Sequence, residues 1–270
     1  MPTIHEVLTI EPLASDVFRA PPVPTSLQRT FGGQVVAQAL AAAIRTAPDV
    51  MRAHSLHGYF LRPGHPGRPA DLQVDRLRDG ASFATRLVTV VQGGDAIFTM
   101  TASFQAEEPG PEHQDAMPAA PHPDGTTGFR SPGAALERVM RTDWSDWEFR
   151  TVAEERPPGA APEPRKSYWL RHRARLGDDP ALHACALVYL SDLALVGTAA
   201  LPHPGPPAML ASLDHAVWLL RPFRVDEWLL YDQASPSSGQ GRGLVQGRFF
   251  DLRGRLVAVV TQEGLLRWPR

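Results

Sequence analysis

The sequence predicts an α+β fold made of two similar halves, each with one apolar helix followed by antiparallel strands. In the first half, "FGGQVVAQALAAAIRTA" (31–47) carries apolar and small residues at helical spacing. Short segments rich in β-branched and aromatic residues follow, at 55–63, 70–79, 82–92 and 95–105. The second half repeats this order, with an apolar helix at about 180–200 and strand-like segments at 212–222, 227–236, 242–251 and 254–266.

Local matches between the halves indicate an internal duplication. "GYFLRP" (58–63) matches "VWLLRP" (217–222), and "AIFTMTASF" (96–104) matches "LVAVVTQEGL" (256–265). "FGGQ" (31–34) falls on "YLSD" (189–192), so all three matches have an offset close to 159 residues. Each match is weak alone, but three in register on the same kind of element favour two copies of one unit.

The order of elements predicts how each half folds. A helix followed by a meander of strands buries its apolar surface only if the sheet wraps around it. Two such halves can pair edge to edge, which removes their exposed strand edges. Segments rich in proline, "PGPEHQDAMPAAPHPD" (109–124) and "RPPGAAPEPR" (156–165), are predicted to be exposed connectors. The predicted domains are 1–108 and 145–270, with a connector at 109–144.

Composition excludes several classes of function. The hydrophobic share of 43% and the charged share of 21% are typical of a globular protein, and the net charge of -2 gives no reason to expect nucleic acid or an anionic membrane as a partner. No apolar run reaches the roughly 18–20 residues that span a bilayer without a charge, and the N-terminus lacks a signal-peptide pattern. The single cysteine, Cys185, leaves no disulfide and no zinc ligand set, so we expect no metal and a cytoplasmic location. P-loop and dinucleotide-binding glycine motifs are absent, and no cofactor is expected.

A carboxylate interrupts the most apolar stretch of the chain. "ACALVYLSDLALVGTAAL" (184–201) contains Asp192 beside Ser191. Both residue types cap helix N-termini, so a cap for a helix starting at Leu193 is one interpretation. The residues before Ser191 are themselves helical in pattern, which favours a functional carboxylate instead. The sequence pattern alone leaves these two interpretations open.

Several longer segments resemble the acyl-CoA thioesterase II family. They are "FGGQVVAQAL", "HSLHGYFLRPG", "YLSDLALV", "SLDHAVWLLRPF", "EWLLYDQASPS" and "GRGLVQGRFFDLRGRLVAVVTQEGLLR". The resemblance implies a double hotdog fold, hydrolysis of acyl-CoA thioesters, and a homo-oligomer, a dimer or tetramer. It also implies a catalytic set of Asp192, Ser212 and Gln262, in which Ser212 stands where a threonine is expected. The hydroxyl is retained, although the stiffer β-branched rotamer is lost.

The residues themselves are compatible with that chemistry. The chain has no G-x-S-x-G nucleophile motif, so direct attack by water is the simplest route to hydrolysis. Asp192 can accept a proton from water, while Ser212 and Gln262 can each donate and accept hydrogen bonds. In the strand around Gln262, alternation places only one of Gln262 and Glu263 inward, and we take Gln262. Ser212 as a simple turn residue is the alternative for that position.

Three further residues are predicted to bind or orient the substrate. An oxyanion needs donors such as backbone N–H groups at a helix N-terminus, which we assign to Gly33 and Gln34. Glycine at 32 and 33 permits close approach of the backbone to a ligand. Asp214 lies on the same strand face as Ser212 and is expected to orient the site, whereas His215 is expected to be structural.

The first half lacks these polar residues. Gln34 falls on Asp192, Ala102 or Ser103 on Gln262, and Ala53 or Ser55 on Ser212. One working site in the second half is therefore predicted, with neutral drift between the halves as the alternative. Two other functions stay open: a hotdog hydratase or dehydratase, which would need an essential histidine, and a non-catalytic acyl-CoA binding module. The length of the acyl chain is not predicted.

Overall fold

The structure is a computed structural model that describes residues 2–129, 134–153, 162–203, 205 and 209–268. The helices are α1 (Ile4–Leu8), α2 (Gly32–Thr46), α3 (Ala134–Asp143) and α4 (Pro180–Ser191), with 3₁₀ helices at Pro123–Gly125 and Val196–Ala200. The strands are β1 (Glu11–Ala14), β2 (Val17–Ala20), β3 (Met51–Phe60), β4 (Ala70–Asp79), β5 (Phe83–Gln92), β6 (Asp95–Ala106), β7 (Thr127–Gly128), β8 (Trp147–Val152), β9 (Arg165–His172), β10 (Met209–Ser212), β11 (Asp214–Leu219), β12 (Leu229–Gly239), β13 (Arg242–Asp251) and β14 (Leu256–Arg267).

The chain forms two compact units. The first contains Met1–His113, Asp178–Leu193 and Ala216–Leu219, and the second contains Gln114–Gly177, Ala194–His215 and Leu220–Arg270. These units differ from the predicted boundaries of 1–108, 109–144 and 145–270, which follow chain order. The main difference is helix α4, which comes late in the chain but packs against α2 of the first unit.

The first unit is an antiparallel sheet that carries α2 on one face. Its strands lie in the order β1-β2-β4-β5-β6-β3, and α2 contacts β2 through β6. On β5 alternate residues are buried, among them Ala84, Val88 and Val90, as expected for a strand with one face on a core. Most residues of α2 are also buried, and many are alanines, which lets the sheet approach the helix closely.

Arg86 closes the C-terminal end of α2. It projects from β5, is fully buried, and donates to the backbone oxygen of Thr46 at 2.8 Å and to its hydroxyl at 3.0 Å. The carboxylate of Asp79 accepts a further hydrogen bond from the guanidinium at 2.5 Å. Because the helix C-terminus carries partial negative charge, a cation there stabilises α2.

The second unit has its own antiparallel sheet. The strands lie in the order β14-β13-β12-β9-β8-β7, and β10 pairs with β14. The 3₁₀ helix Val196–Ala200 lies on this sheet against β12, β13 and β14. Two facing glycines, Gly243 and Gly264, make room for it, since a Cβ on either would collide with Ala199 or Val196.

Part of the predicted connector is ordered against the second sheet. Met117 and Ala120 pack on a buried cluster that includes Trp169 and Trp228. The indole N–H of Trp169 donates to the backbone oxygen of Pro121 at 2.9 Å. Most of 109–124 is exposed, as predicted, but its few apolar residues contact aromatic side chains of the second sheet. Of the other predicted connector, 156–165, residues 156–161 lie outside the described residues.

The predicted duplication is confirmed by the strand positions. Strands β4, β5 and β6 begin at residues 70, 83 and 95, whereas β12, β13 and β14 begin at 229, 242 and 256, an offset of 159 to 161. On the same offset, α2 corresponds to the segment that contains the 3₁₀ helix Val196–Ala200. The fold is thus the predicted α+β class, with two hotdog units on one chain.

The single helix predicted at 180–200 is wrong in its extent. Helix α4 ends at Ser191, and a new 3₁₀ helix starts at Val196. Between them Ala194 has φ 57°, a left-handed conformation that stops an α-helix. By length and composition Pro180–Ala200 could span a membrane, but 72% of its most apolar window is buried in the protein, as in a core helix.

Candidate active site

Asp192 lies at the C-terminal end of α4. It is the C-cap residue of that helix, with φ -81° and ψ -12°, and it is only 8% exposed. The next helical segment has Leu195 as its N-cap, so the interpretation of Ser191 and Asp192 as its N-cap is wrong. Ser191 instead donates its hydroxyl hydrogen bond back to the carbonyl of Val188 at 2.8 Å.

The Asp192 carboxylate is bound by the N-terminus of a different helix. The backbone N–H of Gly33 in α2 donates to Oδ2 of Asp192 at 2.9 Å. The N-cap residue of α2, Phe31, gives no side-chain cap, so Asp192 supplies the acceptor that this helix end otherwise lacks. A negative charge at a helix N-terminus is stabilised by the helix dipole.

Two glycines permit this approach of helix to carboxylate. A Cβ on Gly32 would come within 2.6 Å of Oδ2 of Asp192 and 3.0 Å of the Phe60 ring. A Cβ on Gly33 would overlap the backbone oxygen of Tyr189 in α4. Glycine at 32 and 33 therefore serves the contact between α2 and the end of α4. Close approach of this backbone to a ligand stays a prediction.

Aromatic rings pack around the same helix end. Phe31 meets Tyr189 edge to face, with ring centroids 5.2 Å apart. Such pairs are favourable beyond the area they bury. Phe31 was not singled out from the sequence, although it precedes the two glycines directly.

In the second unit, strand pairing brings Ser212 and Gln262 to one place. Ser212 of β10 is opposite Gly264 of β14, two residues beyond Gln262. Residues opposite each other, or two apart on one strand, share a face, so Ser212 and Gln262 are diagonal neighbours on one face. It is the face that carries the 3₁₀ helix, because Val196 covers Gly264.

Gln262 points inward as predicted. It is fully buried, whereas the neighbouring Glu263 side chain is 42% exposed and forms an ion pair with Arg242 at 2.8 Å. Asp214 accepts a hydrogen bond from the backbone N–H of Glu263 at 2.6 Å. The Asp214 carboxylate thus holds β14 next to Gln262, which is an orienting contact. His215 is fully buried, and its structural role stays a prediction.

The two predicted backbone donors are already engaged. The N–H of Gly33 is donated to Asp192, and that of Gln34 to the backbone oxygen of Phe31 at 3.1 Å. In the first turn of α2 this leaves the N–H of Gly32, for which the structure gives no acceptor among the described residues. The Gln34 side chain itself is buried.

The corresponding positions of the first unit carry no comparable set. In the first unit Ala53 of β3 is opposite Phe104 of β6. At the corresponding place in the second unit, Ser212 of β10 is opposite Gly264 of β14. This register aligns Ala53 with Ser212 and Ala102 with Gln262, so alanines replace the hydroxyl and the amide. The predicted difference between the halves is therefore present in the folded chain.

Other reactive side chains do not add a metal or a nucleophile to this set. Over the residues that the structure describes, no group of three or more His, Cys, Asp or Glu side chains could hold a metal ion. Burial raises the pKa of the Cys185 thiol to about 12, which keeps it protonated and inert. Two antiparallel sheets on one chain, each covered on one face by a helical segment, define a protein of the double hotdog class.

The comparisons with known proteins identify the family. The acyl-CoA thioesterase N-terminal domain model matches residues 20–105, and the acyl-CoA thioesterase C-terminal domain model matches 111–266. A mouse acyl-coenzyme A thioesterase 8 is 40% identical over 98% of this chain and 88% of its own length. An acyl-CoA thioesterase 2 from Haemophilus influenzae is 34% identical over 98% of this chain and 96% of its own length.

Solved structures agree with the sequence comparisons. The acyl-CoA thioesterase II TesB2 from Mycobacterium marinum is 46% identical, with 99% of both chains covered and a TM-score of 0.86. The chain belongs to the acyl-CoA thioesterase II family, and it is an enzyme that hydrolyses acyl-CoA thioesters. The hydratase and the non-catalytic binding module are not favoured.

Proposed function

We propose that Asp192, Ser212 and Gln262 activate the water molecule that hydrolyses the acyl-CoA thioester. Asp192 serves as the general base, while Ser212 and Gln262 hold the water and orient it toward the thioester carbonyl. The observation that carries this proposal is the buried carboxylate of Asp192 on the N-terminus of α2. A buried carboxylate that keeps its charge can accept a proton at neutral pH.

Strand pairing supports a shared role for Ser212 and Gln262. Ser212 and Gln262 share one face where β10 pairs with β14, and Asp214 accepts a hydrogen bond from the backbone of β14 beside Gln262. A hydroxyl and an amide can each donate to and accept from a water molecule, so together they can fix its position and its orientation. Fixing the attacking water is a large part of what an enzyme contributes to such a reaction.

The reaction balances without a cofactor. The water oxygen forms a bond to the thioester carbon while its proton moves to Asp192. The tetrahedral intermediate then expels the CoA sulfur, which takes up that proton and leaves as the thiol. The products are the free carboxylic acid and CoA, and Asp192 returns to its ionised form.

The developing oxyanion needs a donor other than the predicted pair. Since the N–H groups of Gly33 and Gln34 are already donated, we assign this role to the N–H of Gly32. This group belongs to the same helix end that holds the carboxylate. The helix dipole then favours the negative charge of the transition state.

The proposal is tested by Asp192→Asn, with Asp179→Asn as the matched control. Asp179 also accepts from a helix N–H, that of Ala181 at 2.9 Å, but at the opposite end of α4. Release of CoA is followed with a thiol reagent over acyl chains from acetyl to palmitoyl. Asp192→Asn should lower kcat by about 1,000-fold with acyl-CoA still bound, and Asp179→Asn should not. Equal activity of the two variants would rule out Asp192 as the base.

Whether the three residues act on one water is tested by combining variants. If they do, the double variant Asp192→Asn/Gln262→Leu should have a kcat only slightly below that of Asp192→Asn. The reason is that Gln262 can orient the water only for a step that already requires Asp192. Independent, additive losses would show that Gln262 acts elsewhere.

The proposal also covers the substrate class, the assembly and the location of the enzyme. We expect fatty acyl-CoA to be the substrate class, a homodimer or homotetramer as the assembly, and the cytoplasm as the location. The free, buried Cys185 supports a reducing compartment. A profile of kcat/KM against chain length, the mass in solution and cell fractionation test these statements in turn.

A further inference from the structure

Lys166 is the only lysine of the chain. The sequence holds 27 Lys and Arg residues, and all the others are arginine. An arginine is always charged and carries five N–H donors, whereas a lysine is a compact donor that can lose its proton. Lys166 is therefore the one position where the basic side chain is an ammonium rather than a guanidinium.

The Lys166 side chain reaches the turn that follows Asp192. From β9 its Nζ donates to the backbone oxygen of Ala194 at 2.6 Å. Ala194 is the residue with φ 57° that separates α4 from the 3₁₀ helix, and it follows Asp192 by two positions. Nζ also lies beside Gly197, 3.9 Å from where a Cβ would be.

A second hydrogen-bonded chain holds the far end of the same segment. Thr198 of the 3₁₀ helix donates to Oε1 of Gln233 at 2.8 Å, and Gln233 Nε2 donates to the hydroxyl of Tyr168 at 3.0 Å. Gln233 of β12 is opposite Lys166 of β9, and Tyr168 is two residues along, so all three share one face. Thr198 and Gln233 are fully buried.

We infer that Lys166 and Gln233 are positioning residues for thioester hydrolysis, which fasten the segment 194–200 to the second sheet and thereby fix Asp192 at its base. The inference rests on the proposed role of Asp192. Glycines at 243 and 264 let the segment lie close to the sheet, and the two polar anchors fix its direction along the sheet.

The chemistry of the site explains why the anchor is a lysine. Burial lowers the pKa of the Lys166 ammonium to about 7, so the group can be held as a neutral amine near physiological pH. Its neighbours on that face, Gln233 and Tyr168, are uncharged there. A guanidinium would remain charged and would need acceptors for several more N–H groups.

The test uses Lys166→Met, which keeps the length of the side chain and removes the donor, and Thr198→Val, which removes the hydroxyl with little change in shape. The matched control is Ser167→Ala on the opposite face of β9, which loses a hydrogen bond of 2.8 Å to Asp232. We expect Lys166→Met to lower kcat tenfold or more and Thr198→Val to lower it severalfold, with KM changed less than about twofold. Ser167→Ala should leave kcat unchanged.

A combination of variants separates positioning from general destabilisation. If Lys166 acts through Asp192, Lys166→Met should not lower the residual kcat of Asp192→Asn further. A further loss in that background, or an unchanged kcat for Lys166→Met with only a lower melting temperature, would overturn the inference. An active Asp192→Asn would instead overturn the proposed function itself, so the two failures are distinguishable.

Discussion

The backbone N–H of Gly33 donates a hydrogen bond of 2.9 Å to the carboxylate of Asp192, across 159 residues of sequence. This contact joins the N-terminal end of α2 to the C-terminal end of α4. It satisfies a helix donor and places a carboxylate at a helix N-terminus, where the dipole favours negative charge. The two motifs "FGGQ" and "YLSD", which match each other in the duplicated halves, are therefore also partners in the folded chain.

The first prediction concerns Gly33→Ala. The new methyl group would overlap the backbone oxygen of Tyr189 and come within 2.6 Å of the Phe31 ring, so α2 and α4 must separate. We expect kcat/KM to fall by about 100-fold and the free energy of unfolding to fall by about 1–3 kcal/mol. CoA release and urea unfolding measure the two effects.

Gly110→Ala is the control for that change, since a Cβ there has nothing within 4 Å. It should leave both quantities unchanged. Wild-type kcat/KM in Gly33→Ala would mean that the hydrolytic step does not depend on the contact between the helices.

The second prediction concerns Gly264→Ala in the second unit. Its Cβ would collide with the side chain of Val196 on the 3₁₀ helix. We expect a loss of about 1–3 kcal/mol in the free energy of unfolding. Val196→Ala introduced together with Gly264→Ala should restore much of the loss, because it removes Cγ1 and Cγ2, the two atoms that collide most closely. If the double variant is no more stable than Gly264→Ala, measured by urea unfolding, the glycine is required for another reason.

The third prediction concerns the hydroxyl at position 212. Ser212→Ala removes a group proposed to hold the water, so kcat should fall by about 10- to 100-fold. Ser212→Thr keeps the hydroxyl and restricts its rotamers, so kcat should stay within about threefold of the parent. Activity is measured as CoA release at saturating acyl-CoA. Equal activity of the alanine and threonine variants would exclude the hydroxyl from the reaction.

The strands could be predicted from the sequence better than the rest of the fold. The segment predicted at 242–251 coincides with β13, and the one at 70–79 coincides with β4, because alternation and turn residues mark both clearly. Strands β8 and β9 were not predicted. Charged residues interrupt both, and a proline-rich stretch precedes β9, so neither segment shows a clear strand pattern.

The site could be predicted only in part, for a related reason. Burial of Gln262 follows from strand alternation, a local property. The contact between Gly33 and Asp192 and the anchoring of Ala194 by Lys166 join segments far apart in the sequence, which no periodicity encodes. The break in the helix at Ala194 was also missed, since residues on both sides of it are equally apolar. The one available signal for Lys166 was that no other lysine occurs.

The last prediction is a dependence of stability on pH that comes from Lys166. In the unfolded chain a lysine has a pKa of roughly 10.4, whereas burial lowers it to about 7 in the folded protein. Between these two values the unfolded chain binds a proton that the folded protein does not. The free energy of unfolding therefore rises as the pH increases from about 7 to about 10. Below about pH 7 the amine is charged in both states, so the folded protein bears the full cost of burying the ammonium. Lys166→Met lacks this dependence, so the stability difference between wild type and variant should shift in favour of wild type by about 1 kcal/mol per pH unit between about pH 7 and 9.

Urea unfolding of wild type and Lys166→Met measures this pH dependence, and ¹⁵N-lysine labelling gives one side-chain signal whose titration reports the pKa directly. A titration near pH 10, or pH profiles that run parallel, would show that the Lys166 ammonium is solvated and charged in the folded state.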